Sequence, residues 1–251
     1  MVAIAFSVVA LVLAGGFFEW LLWHMRESAI ESRLGHIQIV RRGFQEFGTA
    51  DPFAYLLPAS SPDLAALREL PEAEVVAARL NFTGVVSRGD TALSFTGEGV
   101  EPDKEAALSR QIAITAGGNL SAADPNGIIL GAGLAANLGA RTGDKVVLLA
   151  TSSSGGMNGV DTHVRGIFST FIKAYDDAAL RVPLPLARQL LRVQGSHSWV
   201  VLLKLTEQTD EVVAGLKNRL EKSGLQVLAW RDLADFYNKS VVLFGRQVNV
   251  I

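Results

Sequence analysis

Apolar and polar residues follow three different patterns along this chain. Residues 1–18, MVAIAFSVVALVLAGGFF, carry no charge, and the apolar run resumes after Glu19 as Trp20-Leu21-Leu22-Trp23. As a helix this stretch is about 34 Å long at 1.5 Å per residue, enough to cross a hydrocarbon core of about 30 Å, so residues 1–23 are predicted to span a membrane. Helical spacing continues over 24–35, where Met25, Ala29, Ile30 and Leu34 share a stripe, and predicts a stalk helix that stops at Gly35.

From residue 36 the period changes. A strand is expected over 36–40, a helix over 62–70 with Ser61 or Asp63 near its start, and a second strand over 74–86 with Val76, Ala78, Leu80 and Phe82 on one face. The turn Ser87-Arg88-Gly89-Asp90 folds this strand back onto 91–95 as a hairpin. Residues 100–182 hold short apolar runs at 127–130, 145–149 and 162–168 between Gly and Asp turns, which predicts a mostly β segment with one short helix. After Pro183 and Pro185 the pattern predicts a helix through Arg192, a strand over 199–205, a helix over 207–222 presenting Val212, Val213, Leu216 and Leu220, and a strand over 225–230.

The expected fold is therefore α+β. A ferredoxin-like βαβ-βαβ sandwich is formed by residues 36–99 and 183–231 and interrupted by the β-rich segment 100–182, an arrangement that brings the two ends of the chain together. Residues 232–251 have a helical pattern through Phe236, Tyr237, Val241, Val242, Leu243 and Phe244 with no terminal cap. They read as a stalk and the start of a second membrane helix, or as an amphipathic helix packed on the domain.

A cleavable signal peptide fits the N-terminus less well, because no basic flank precedes the run, the run is long, and no small-x-small site follows before Trp20. Trp20 and Trp23 are placed as anchors at the membrane interface. Glu19 is the costly residue of the span; it faces a partner or water, or snorkels to the interface. Arg26, Arg33, Arg41 and Arg42 follow the span and oppose an extracytoplasmic orientation by the positive-inside rule, which weakens for long translocated domains.

Composition narrows the function classes. Net charge is −2 from 23 basic and 25 acidic residues, so no field draws the chain to nucleic acid. Cysteine is absent, which removes disulfides, thiolate metal sites and a thiol nucleophile. His24, His36, His163 and His197 lack metal-ligand spacing and read as structural. Gly131-Ala132-Gly133-Leu134-Ala135-Ala136 matches a relaxed G-x-G-x-x-A dinucleotide fingerprint, but about eleven residues before the next strand are too few for a crossover helix, and the glycines read as turn and packing positions. Ser152 to Gly159 lacks the Lys-Ser/Thr of a phosphate loop and reads as a hairpin tip. Its Ser153, Ser154, Gly155, Gly156, Met157 and Asn158 form a candidate partner-contact loop, with Met157 as the adaptable apolar residue. No catalytic, cofactor or metal residues are assigned.

The N-terminal span and stalk, Gly35-His36-Ile37-Gln38-Ile39, the run GIILGAGLAANLGARTGDKVVLLA at 127–150, and ADFYNKSVVLF at 234–244 together resemble the MacB-like periplasmic core domain of ABC transporter permeases of the MacB/LolC/LolE/FtsX type, and more closely the LolC/LolE-like branch. The resemblance implies a non-enzymatic permease fragment in the bacterial inner membrane with its main domain in the periplasm. It also implies an ATPase subunit that binds ATP in the cytoplasm, a second permease as partner in a homo- or heterodimer, and extrusion or handover of a lipoprotein, peptide or drug. In these terms 36–99 and 183–231 are the porter subdomain and 100–182 the sabre-like subdomain. A membrane-tethered sensor or scaffold that binds a periplasmic protein is the alternative reading.

Overall fold

Helix α1 covers Val2–Ala29 and gives way to one π-helical turn, Ile30–Leu34, closed by the Gly35 N–H donating to Ile30 O at 2.9 Å. The computed structural model describes the backbone of residues 2–248 and their side chains except those of 2–5, 7, 8, 10, 11, 33, 236 and 243–248. Strand β1 (Ile37–Arg41), helix α2 (Phe44–Phe47) and a 3-10 turn, Pro52–Tyr55, lead to α3 (Pro62–Arg68). There the Ser61 Oγ accepts from the Leu64 N–H at 3.1 Å and Pro62 opens the first turn. Strands β2 (Ala73–Arg88) and β3 (Thr91–Val100) form a hairpin about Gly89, φ 57°.

The middle of the chain supplies α4 (Pro102–Leu108), β4 (Ala113–Gly117), β5 (Gly127–Gly131), α5 (Ala132–Leu138), β6 (Lys145–Thr151), β7 (Met157–Ser169), α6 (Lys173–Asp176) and β8 (Ala179–Pro183). The remainder supplies α7 (Leu184–Leu191), β9 (Ser198–Leu203), α8 (Thr209–Leu220), β10 (Leu225–Ala229), α9 (Trp230–Leu233) and α10 (Asp235–Val248).

Four strands in the order β10-β1-β9-β2 pair antiparallel throughout. With α3 connecting β1 to β2 and α8 connecting β9 to β10, their connectivity is that of two interleaved β-α-β units. The 16-residue β2 is long enough to serve twice: Ala73–Arg79 pairs with β9, and Val85–Ser87 pairs with β6. From β2 a ring runs through β3, β8, β5, β7 and β6 and returns to β2, with β3/β8 and β5/β7 parallel. The ring is a six-stranded barrel, a closure that leaves no open edge among those strands.

One apolar core runs through both parts, from Ile37, Ile39, Leu64 and Leu67 beneath the four-stranded sheet to Phe82, Phe95, Ile128, Leu148 and Val164 in the barrel. Phe82 and Phe95 meet edge to face at 5.5 Å, and α7 buries Leu184, Ala187, Leu190 and Leu191 in the same core. The opposite face of the sheet carries a second cluster, in which Ala77, Val200 and Leu202 are covered by Ile30 and Leu34 of the π turn, Leu108 of α4, and Trp230, Ala234 and Tyr237.

Several expectations change at this level. The 100–182 segment holds three short helices rather than one. Pro102 at the first turn of α4 and Gly139 at φ 66° ending α5 are ordinary helix punctuation, and the density of Gly and Asp turns masks them in the sequence. The stalk does not run as a plain α-helix to Gly35; its last turn widens to π geometry. Trp230 opens a helix instead of ending the last strand, because its N–H is taken by His36 O while the Asp232 carboxylate accepts the Ala229 N–H. The C-terminal helix is broken at Ala234, and its expected continuation at 249–251 lies outside the described residues. Among the described residues no helix is long and apolar enough to cross a membrane, and much of the apolar run at 2–11 lies outside the described side chains.

Candidate functional site

Several hydrogen-bonded and charged side chains gather where α1 enters the folded body. Gly35 sits at φ 64°, and a Cβ there would run into Val200 Cγ1 and lie 3.0 Å from Val201 O. Gly35→Ala is therefore expected to cost about 2–4 kcal/mol through left-handed strain and overpacking, read as a lower urea midpoint by tryptophan fluorescence.

His36, next in sequence, is buried. Its Nδ1 accepts the Leu203 N–H at 2.9 Å and its Nε2 lies 2.9 Å from Thr206 Oγ1, whose hydroxyl lies 3.3 and 3.4 Å from the Glu27 carboxylate oxygens. Glu27 is itself paired with Arg26 at 2.8 Å. Burial holds the His36 pKa down to about 4 against the opposing pull of Glu31. His197 is built alike: Nδ1 accepts the Asn81 N–H at 3.0 Å, Nε2 lies 3.2 Å from Pro52 O, and burial lowers its pKa to about 4. Both rings are neutral with Nε2 protonated, since Nδ1 must accept.

Deeper in, four charged side chains come together, all of them buried. Arg181 of β8, only 1 % exposed, places Nη2 at 2.9 Å from Glu98 of β3 and Nη1 at 2.9 Å from Glu105 of α4. Glu105 also receives Arg79 of β2 at 2.7 Å and the Ser109 hydroxyl. Arg181 further donates to Ser109 Oγ at 2.6 Å and to the Ser32 carbonyl at 3.2 Å. Burial disfavours the guanidinium charge, yet Glu98 and Glu105 together hold its pKa above the ordinary arginine value. One buried cluster thus ties sheet, barrel, α4 and the π turn together. The sequence reading missed it: Glu98 and Arg181 interrupt otherwise apolar strand patterns, the one signal that marked them.

The candidate contact loop lies elsewhere, at the far end of β7. Ser153, Ser154, Gly155, Gly156 and Met157 are exposed, Met157 by 75 %, while Asn158 is half-buried. The loop is tethered, with the Ser153 N–H bonded to Leu191 O at 2.9 Å, Ser153 Oγ to Arg192 O at 3.0 Å, and the Asn158 amide to Leu190 O at 2.9 Å. Trp20 and Trp23 are more than half exposed and Glu19 is exposed, all on α1.

The Gly131/Gly133 pair has a packing account. A Cβ at either position would strike Asp176 O or Asp177 Oδ1, so α6 fills the space in front of α5 where a pyrophosphate would lie. His163 pairs with Asp124 at 3.0 Å, and His24 stacks on Trp20. Among the described residues no three His, Asp or Glu side chains converge on a metal-sized site.

A four-stranded sheet with interleaved β-α-β connections, a barrel sharing its strand β2, and helices α1 and α10 packed on one another define a mixed α/β domain. Residues 1–219 match the family described as the MacB-like periplasmic core domain, and the chain belongs to it. Its fold resembles the periplasmic region of MacB from Actinobacillus actinomycetemcomitans, at 12 % identity and a TM-score of 0.56 over 81 % of this chain and 93 % of that one. It also resembles the extracellular domain of the noncanonic ABC-type transporter YknZ from Gram-positive bacteria, at 15 % identity and a TM-score of 0.54 over 77 % of this chain and 100 % of that one. At these identities the likeness concerns the fold. No curated protein matches the chain.

Proposed function

We propose that this chain is the membrane-anchored part of a bacterial ABC permease whose output is motion. In this reading residues 1–23 cross the inner membrane with Trp20 and Trp23 at its outer interface and Glu19 just below. Residues 24–35 are the stalk, 36–99 and 183–231 the porter subdomain, 100–182 the sabre-like subdomain, and 232–251 the return to the membrane. ATP is hydrolysed by a separate ATPase subunit, and a second permease completes the transporter. Displacement of α1 and α10 moves the body, and the loop 153–158 meets a periplasmic protein or lipoprotein. The chain itself performs no covalent chemistry.

The observation that carries this reading is the shared origin of the two terminal helices. α1 and α10 pack on one another, and the residues that join them to the body, Ile30, Leu34, Trp230, Ala234 and Tyr237, occupy one apolar cluster on one face of the sheet. Two ends fixed side by side are what a domain inserted between membrane helices requires. The cysteine-free chain permits a direct test with M157C in spheroplasts. The expected result is a chain that pellets with membranes, leaves them only in detergent, and is labelled from outside by an impermeant maleimide. Recovery in the high-speed supernatant, or labelling only after permeabilisation, would contradict it.

A further inference from the structure

Phe171 is 88 % exposed and Ile172 is 55 % exposed, on the loop between β7 and α6. Nothing about the loop is loose. The buried Asp176 carboxylate accepts the Thr170 N–H at 2.9 Å, the Thr170 hydroxyl at 2.7 Å and the Ser169 hydroxyl at 3.1 Å, which clamps the loop's base and holds the apolar tip outward. Two adjacent large apolar side chains held facing water carry a hydration cost that burial against an apolar partner would relieve.

The position of the tip identifies that partner. Phe171 lies against His24 at 6.3 Å between ring centroids, His24 stacks on Trp20 at 5.5 Å, and Trp20 stacks on Phe17 at 6.1 Å. Phe171 therefore extends the aromatic side of α1, meeting it at His24, about 9 Å of helix before the buried Ile30 of the π turn. Trp20 and Trp23, also exposed, lie on the same segment. Met157 occupies the opposite end of the 13-residue β7, about 40 Å away along the strand.

We infer that the Phe171-Ile172 tip is a second membrane contact, inserting its two side chains into the headgroup and upper acyl region of the bilayer beside α1. Amphipathic elements of peripheral proteins seat apolar side chains about 5–10 Å into this region. The contact would fix the tilt of the body over the membrane, since two helices that leave the body side by side at one cluster still leave it free to lean. The inference rests on the reading that residues 1–23 lie in the membrane, and its test separates the two.

The full chain, reconstituted in phosphatidylcholine/phosphatidylglycerol vesicles, is spin-labelled singly through I172C, M157C or A14C, and collision with oxygen and with a water-soluble nickel complex is measured. The 172 label is expected to favour oxygen over nickel several-fold more than the 157 label, and F171S added to I172C should return it towards the aqueous value. If the 14 label is in lipid but the 172 label is open to nickel, the tip is in water and the inference fails. If the 172 label is shielded from both reagents, a protein surface covers it and the inference also fails. If the 14 label is itself aqueous, the membrane reading falls, and the inference with it.

Discussion

Arg181→Met is expected to destabilise the folded body by about 3–5 kcal/mol, because it leaves buried carboxylates without their counter-charge. The four charges Arg79, Arg181, Glu98 and Glu105 sum to zero in the native cluster. Removing Arg181 leaves one surplus negative charge in a buried site, and the Ser32 and Ser109 acceptors lose their donor as well. R181M/E98Q restores neutrality while keeping the Arg79–Glu105 pair, so it should recover a substantial part of the loss. Urea unfolding of the full chain in detergent, followed by the fluorescence of the buried Trp199 and Trp230, measures both variants. Equal stability of R181M and the double variant would show that charge balance is not what the cluster supplies.

Stability is also expected to fall steeply between pH 6.5 and pH 4. His36 and His197 each have a folded pKa of about 4 against 6.5 unfolded. In that window the unfolded chain binds protons that the folded chain refuses, so stability rises with pH. The contribution of each ring is fully present above pH 6.5, is lost as pH falls through the window, and changes no further below about 4. The loss is about 3 kcal/mol per ring, opposed at His36 by Glu31 and Glu207 and reinforced by Arg26. The geometry explains the direction, since protonating Nδ1 of either ring would forfeit a backbone N–H donor, that of Leu203 or Asn81. Unfolding midpoints measured at pH 7.5 and 4.5 should differ strongly for the natural chain. They should differ less for H36Q and least for H36Q/H197Q, even though both variants start less stable. A flat pH response of the natural chain would remove the assignment.

The parts of this architecture that repeat locally were legible in the amino-acid order. Val76, Ala78, Leu80 and Phe82 alternate inward as the period-two pattern requires, and Ser61-Pro62 marks the start of α3 with a hydroxyl cap and a pre-set φ. What depends on distant pairing was not. The barrel closes only because Thr96–Val100 meets Ala179–Pro183 and Val85–Ser87 meets Val147–Leu149, registers that no local pattern encodes. The buried cluster was hidden for the same reason, its Arg79–Glu105 and Arg181–Glu105 contacts joining positions 26 and 76 apart. Glu98 and Arg181 show in the sequence only as breaks in apolar strand patterns, and Arg79 and Glu105 look like ordinary solvated residues. The π turn was invisible because residues 24–34 keep helical spacing with no Gly or Pro before Gly35, and nothing local distinguishes a π turn from an α one.

Strand β2 has a mechanical consequence. The same 16 residues are hydrogen-bonded into the four-stranded sheet at one end and into the barrel at the other, with no linker where they pass between the two. Its pairing passes from β9 over Ala73–Arg79 to β3 over Arg79–Arg88 without a break, so no unpaired stretch of backbone offers a hinge between the sheet and the barrel. A protease acting on the native chain should accordingly find no cut that frees the barrel from the sheet, and the two should melt together.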